Sequence, residues 1–305
     1  MVVGIILTLF ASFLWGVTNH IDKFLLDSVD KDVASVKTLL LFSTLIAGFV
    51  FSPIWLCICK FSISISQISL IAVLSSALMY ILATVFYYIA LDKNDASIVV
   101  IMFQMIPVFT YIAALVLFDE HLTRQELIGS IIIILSAAII SLDFEKRKQQ
   151  NKLKALFFMT LSSLFYALYF ILFDCAIRDS SYNACAFWFQ IGFLLIGIFL
   201  FCIKSYRSSF FKAIKNNGKT YFSLNVLNEL LNLFAILAIN YANVLIPVAL
   251  VNVFNGFQGA FVFVLGVLGV KLLPKYFTED LSKITIIQKV ASIILGILGL
   301  VVMFI

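Results

Sequence analysis

Four polar residues stand in an otherwise apolar run from Tyr221 to Tyr241: Asn225, Asn228, Glu229 and Asn232. Their spacing of i, i+3, i+4 and i+7 puts them on one face of a helix. Glu229 lies eight residues beyond Tyr221, about 12 Å along a helix axis at roughly 1.5 Å per residue, and half a bilayer core is about 15 Å. That places a carboxyl group near the middle of a membrane span. An ionisable side chain there costs roughly 2.5 to 3.5 kcal/mol on insertion scales, so it should face a bundle interior or a wet cavity. Such a group can bind a cationic or amino group, or exchange a proton, because desolvation favours its neutral form and a substrate charge or water its ionised form. The same residues also permit a structural reading. Three asparagines and a protonated Glu229 can join helices through hydrogen bonds of about 0.6 to 2 kcal/mol each.

Further polar candidates recur in other apolar runs. Ser12, Trp15, Asn19 and Asp22 share a helical face near the start, where Trp15 and Asn19 could line a cavity and Trp15 could equally serve as an interfacial anchor. Asp22 and Lys23 read as a solvated pair at the end of that helix. Ser76, Tyr80, Thr84 and Tyr87 form a similar stripe. Tyrosine joins an apolar ring to a hydroxyl, which suits amphipathic or cationic ligands, although packing alone would also explain Tyr80. Gln104, Asn252 and Asn255 are amides in apolar surroundings. Buried, they need partners, and would either complete a polar cavity or bridge helices.

Other features read as structure. Glu120 and Glu279 each precede Leu and Thr or Ser, a helix-start element in which Thr123 caps and Glu126 closes the box. Pro107 should bend or loosen its helix. Ser292, Gly296 and Gly299 allow close packing of the last helix, another copy of the chain being one partner for them, and both monomer and homodimer stay open. The two histidines, His20 and His121, form no zinc motif, and neither a Gly-x-Ser-x-Gly nor a Walker sequence occurs. No catalytic residue, metal site or cofactor is therefore expected.

The elements that must carry these residues are membrane helices. The chain is 63% hydrophobic and 12% charged over 305 residues, too apolar for a soluble domain with one core. Ten apolar runs of roughly 20 residues succeed one another, at Val3 to Ile21, Val36 to Ile58, Ile68 to Leu91, Ser97 to Phe118 and Glu126 to Leu142, then at Leu153 to Ile177, Ala184 to Ile203, Tyr221 to Tyr241, Val244 to Val270 and Thr285 to Ile305. The first lacks a basic leader and a cleavage pattern, so it reads as a retained helix. The net charge of +5 does not imply a nucleic-acid partner, because the basic residues lie between spans. The even-numbered loops hold only Lys60, Arg124 and Arg178, leaving 18 of the 21 Lys and Arg to the odd-numbered ones. The positive-inside rule makes the odd loops cytoplasmic and both termini external. Cys175 and Cys185 flank a short loop on the outer side, where a disulfide between them stays open.

The charged stretch 144–152 divides the chain into units of residues 1–143 and 153–305. A shift of 148 positions lays Ala90 on Ala238, Tyr80 on Asn228, Gln104 on Asn252 and Pro107 on Asn255. Because each unit holds five spans, the two lie in opposite orientations, the inverted-repeat plan of many secondary transporters.

Three fragments carry a resemblance: Leu14-Trp15-Gly16-Val17-Thr18-Asn19, then Ile106-Pro107-Val108, and then Phe118-Asp119-Glu120-His121-Leu122-Thr123 with Leu127-Ile128-Gly129. In order and spacing the chain resembles the EamA branch of the drug/metabolite transporter superfamily over nearly its whole length. Phe165 departs from the family's repeated Trp, Asn255-Gly256 replaces Pro-Val, and Glu279 follows an insertion. External termini depart from many relatives too. The resemblance implies an all-α integral membrane protein of ten transmembrane helices in two inverted five-helix repeats, moving a small-molecule solute by alternating access. Relatives resemble carriers of amino acids, sugars, cations and drugs, so the resemblance leaves the solute open. A scaffold that binds a partner through its basic loops is the alternative.

Overall fold

Hydrocarbon offers no water to backbone N–H and C=O groups, and a helix satisfies them within one segment. The computed structural model describes residues 1–28, 34–58, 60–118, 123–142, 149–246, 251, 254–274, 277 and 279–304, and among them the regular structure is entirely helical. In chain order the helices are α1 (Val2–Ser28), α2 (Ala34–Ile46), α3 (Ser52–Ile58), α4 (Gln67–Asp92), α5 (Ala96–Ile101) and α6 (Ile106–Phe118). There follow α7 (Arg124–Ser141), α8 (Gln149–Asp179), α9 (Tyr182–Cys202), α10 (Lys204–Leu245), α11 (Gln258–Leu272) and α12 (Lys283–Phe304). Among the described residues seven helical stretches are long and apolar enough to cross a membrane, and the shorter apolar stretches Ala96–Thr110 and Gln258–Leu272 accompany them.

Proline explains two irregular turns. Pro53 has no N–H to offer the carbonyl four residues back, and its ring crowds that position. The turn before it, Ala47–Phe51, widens to a π-helix that joins α2 to α3. Pro107, expected to loosen its helix, follows directly on the 3₁₀ turn Met102–Met105 between α5 and α6. The expected capping box at α7 is present, with Glu126 N–H donating to Thr123 Oγ1 at 3.2 Å and Thr123 N–H to Glu126 Oε2 at 2.6 Å. Glu120 and His121 lie outside the described residues.

Helices pack in recurring pairs: α4 on α8, α1 on α10, α7 on α12, α2 on α10, α4 on α9, α1 on α11 and α6 on α8. The close packing expected of the small-residue stripe of α12 is made within the chain. Ser136 Oγ donates to the Ser292 carbonyl at 2.7 Å, Gln104 lies against Gly296, and Gly299 meets α7. A Cβ on Gly129 would stand 2.6 Å from the Gly299 carbonyl oxygen and 2.8 Å from Met303 N. Both obstacles are backbone, so Gly129→Ala must push the helices apart. Overpacking of this kind costs about 1 to 3 kcal/mol, and we expect a lowered thermal midpoint.

Two loop assignments also change. Residues 204–217, read as a basic loop, are helical, and α10 runs through to Leu245 with a break at Gly218 (φ 67°, ψ −159°). A straight helix of that length would be about 63 Å long, twice the roughly 30 Å hydrocarbon core. The left-handed φ that glycine tolerates turns the chain instead. In the central linker, residues 149–152 form the first turn of α8, where Lys152 Nζ donates to the Leu142 carbonyl at 3.2 Å, and residues 143–148 lie outside the described set.

Candidate functional site

Packing of α10 against α1 and α2, and of α1 against α4, turns the polar stripes of four helices toward one another. Glu229 and Asn228 come from α10, Trp15, Asn19 and Asp22 from α1, Ser43 from α2, and Tyr80, Thr84, Tyr87 and Tyr88 from α4. Glu229 is 7% exposed and Asp22 6%. Two carboxyl groups are thus withdrawn from solvent in one network.

Each is held by neutral donors. Ser43 Oγ donates to Glu229 Oε1 at 2.6 Å, and the Asn232 amide also bonds Glu229. Asn232 Oδ1 in turn accepts from Trp15 Nε1 at 2.9 Å, and its side chain reaches the Tyr80 hydroxyl. Asn228 Nδ2 donates to Asp22 Oδ1 at 2.8 Å, and the Tyr87 hydroxyl donates to Oδ2 at 3.1 Å. Behind it a relay runs from Gln258 Nε2 to Asn19 Oδ1 at 2.9 Å, and from Asn19 Nδ2 to the Tyr87 oxygen at 2.8 Å. Glu229 and Asp22 lie close enough to interact through their charges. The ion pairs among the described residues involve neither of them. Asn228 Oδ1 is buried with no donor among those residues, which leaves one more acceptor beside the two carboxyl groups.

An aromatic wall adjoins this cluster. The Tyr80 ring lies 5.2 Å from that of Tyr166, 5.3 Å from Tyr169, 6.0 Å from Phe189 and 5.2 Å from Phe193. Electron-rich ring faces attract cations.

Of the predicted residues, Glu229, Asn228, Asn232, Trp15, Asn19 and Tyr80 join this network. Asn225 does not, since its Nδ2 donates at 2.8 Å to the Tyr221 carbonyl of its own helix. Asn255 accepts from Ser12 Oγ at 3.0 Å, and Gln104 Nε2 reaches the Gly256 carbonyl at 3.4 Å, both away from the carboxyl groups. Asn252 lies outside the described residues.

Asp22 is the main correction. The sequence suggests a solvated pair with Lys23, yet α1 continues six residues past Asp22 to Ser28, about 9 Å of helix. It therefore stands inside the bundle. Lys23 turns the other way, to the Leu91 and Asp92 carbonyls at 3.0 Å each and to Asp27 at 3.1 Å. The signal was present in the sequence: Asp22 follows Asn19 by three and Trp15 by seven, the spacing of a single face.

A second ionic cluster lies elsewhere in the bundle. Lys289, counted among the loop lysines, is fully buried within α12. Its Nζ lies 2.6 Å from Glu279 Oε2 and 3.0 Å from Asp95 Oδ2. Glu279 is thus a buried counter-ion, and the helix start expected after it is present too, with Thr285 N–H donating to Ser282 Oγ at 3.4 Å at the head of α12. Ser97 adds an N–H at 3.1 Å and a hydroxyl at 2.6 Å to Glu279, and Asp280 N–H donates to Asp95 at 2.9 Å. The cluster ties the start of α5 to the loop before α12. In that loop burial pushes the Asp280 carboxyl up, but the Ser282 N–H and hydroxyl, the Lys289 charge and Thr285 outweigh it and hold it below the usual range. A depressed carboxyl stabilises the fold above its unfolded pKa of about 3.9 and loses that contribution as pH falls through its folded value. Acidification below about pH 4 should therefore lower the thermal midpoint, and less steeply in Asp280→Asn.

Cys57, Cys175, Cys185 and Cys202 are free thiols. Residues 2–142, which carry the first five apolar runs, match the model of the EamA-like transporter family. No curated protein matches the chain.

Proposed function

Residues 2–142 are an EamA-like transporter family domain, of the drug/metabolite transporter superfamily, and from that premise we propose that this multi-pass membrane protein is a secondary active transporter of small solutes bearing an amino or other cationic group. One observation carries the choice of solute. Asp22 and Glu229 are buried together and, among the described residues, are held only by neutral donors, with an unpaired amide oxygen beside them. A bare buried carboxylate pair is costly, and a cation or protons must offset it. An ammonium group carries both the charge and the three donors these oxygens lack.

Protons and solute would compete for the same oxygens, which couples their movements. Alternating access supplies the change of side. The helix pairs support a two-repeat plan of ten spans, because α1 on α10 and α8 on α4 exchange when the first five apolar runs are swapped with the last five. The same swap exchanges α2 on α10 with α9 on α4, and α1 on α11 with α8 on α6, while α7 on α12 maps onto itself. In this reading the basic odd-numbered loops face the cytoplasm across the cytoplasmic membrane.

The test is thermal stabilisation of the purified protein by amino acids, amines, nucleosides and sugar phosphates. A ligand at a hundred times its Kd raises stability by about 2.7 kcal/mol. Amines and amino acids should stabilise the parent, and Asp22→Asn should lose most of that gain while melting close to the parent without ligand. Stabilisation by sugar phosphates alone would overturn the proposed solute class.

A further inference from the structure

The segment Lys204–Asn217 ahead of the Gly218 elbow gathers its basic residues on one side, where Phe211 is exposed as well. From Lys204 to Lys219 it carries Lys204, Arg207, Lys212, Lys215 and Lys219, all exposed, and no acidic residue. At about 100° per residue, Lys204, Arg207, Lys212 and Lys215 fall within roughly 140° of arc. The opposite side carries Ala213, buried in the apolar core, with Tyr206 and Phe210 packed against it. Lys37 pins the segment to α2, its Nζ 2.8 Å from Ser205 Oγ and 5.6 Å from the centre of the Tyr206 ring. A short basic helix that ends in a sharp turn into a membrane span lies where headgroups are.

Two hollows adjoin Phe222, just past the elbow. One is lined by Ile214, Gly218, Lys219, Phe222 and Ser223. The other is wholly apolar, with Phe42, Leu45, Phe49, Val50, Phe210 and Phe222 among its walls. Phe222 lines both, so Lys219 stands one shared wall away from an apolar groove in which Phe49 is 62% exposed. A phosphate beside the lysines and a hydrocarbon chain in the groove would satisfy both parts at once. A free phosphate would fill only the first.

We infer that the Gly218 elbow is a binding site for an anionic phospholipid of the surrounding bilayer, its phosphate at Lys215 and Lys219 and one acyl chain along the groove to Phe49. The inference is independent of the solute proposed above. It has a consequence for the transport site, because Phe42 precedes the Ser43 that holds Glu229, and Phe222 lies two turns before Glu229 on α10. A bound lipid would rest on both helices that fix the carboxyl group.

The experiment uses the full chain in detergent, exchanged into mixed micelles of dioleoyl phosphatidylglycerol and dioleoyl phosphatidylcholine, with retained lipid read by native mass spectrometry. The parent should retain phosphatidylglycerol with at least a tenfold preference. The variant Lys212→Gln/Lys215→Gln/Lys219→Gln should lose the preference, and because these side chains are exposed its thermal midpoint should stay near the parent's. Val50→Trp, which fills the groove without touching charge, should also reduce retention. Equal retention of the two lipids by the parent, an unchanged preference in the charge variant, or displacement of the lipid by millimolar glycerol phosphate would each overturn the site.

Discussion

Glu229→Gln is expected to lower solute flux through the reconstituted protein by at least tenfold, about 1.4 kcal/mol in the transport barrier, and to flatten its pH dependence. The stability of the protein should change by less than about 1 kcal/mol. Gln keeps a carbonyl oxygen to accept the Ser43 hydroxyl, and its volume matches Glu, so the contact at 2.6 Å has a replacement. What disappears is the charge and the titration. A structural role predicts the opposite pattern, a protein that melts much earlier with its remaining flux unaltered in pH dependence. Flux of radiolabelled amines into sealed proteoliposomes at several pH values, measured beside thermal unfolding, separates the two. Retention of both rate and pH profile would remove Glu229 from the mechanism.

Lys289→Met should produce the largest loss of stability. Lys289 is fully buried between Asp95 and Glu279, and removing it leaves two buried carboxylates facing one another. Breaking a buried pair from one side costs about 3 to 5 kcal/mol. The companion prediction distinguishes charge from packing. In the variant Lys289→Met/Asp95→Asn/Glu279→Gln no uncompensated charge remains, and most of the loss should be recovered, because neutral replacements of a buried ion network are often tolerated. Thermal unfolding of the three proteins checks this. A single variant within about 1 kcal/mol of the parent would mean that the buried acids are already neutral and Lys289 is not their counter-ion.

Much of the architecture was legible because hydrocarbon imposes a simple rule, namely that apolar runs of about 20 residues become helices. Glu229 was legible for the same reason, since a carboxyl group in such a run demands an explanation. Asp22 was not, because its apolar run stops at Ile21 while its helix continues to Ser28. Hydropathy marks where the lipid ends, which differs from where the helix ends. Lys289 was hidden in the same way, a cation near a span end that sequence assigns to water and folding buries against partners 194 and 10 residues away. Asn225 shows the converse error. It shares the spacing of its neighbours, but bonding to its own backbone at Tyr221 removes it from the network. The elbow at Gly218 carries a local signal in Asn216-Asn217-Gly218, masked by the charged residues around it, which share the composition of a loop.

In the proposed mechanism Asp22 and Glu229 together exchange protons for a cationic solute. The most direct measurement is calorimetric titration of the purified protein, using the amine that stabilises it most, in two buffers of different ionisation enthalpy at one pH. The difference between the two binding enthalpies gives the protons released per amine bound. The parent should release protons, and Asp22→Asn/Glu229→Gln should bind the amine at least tenfold more weakly with no proton release. Amine binding by the parent with no proton release, or binding of equal strength by the double variant, would contradict the claim.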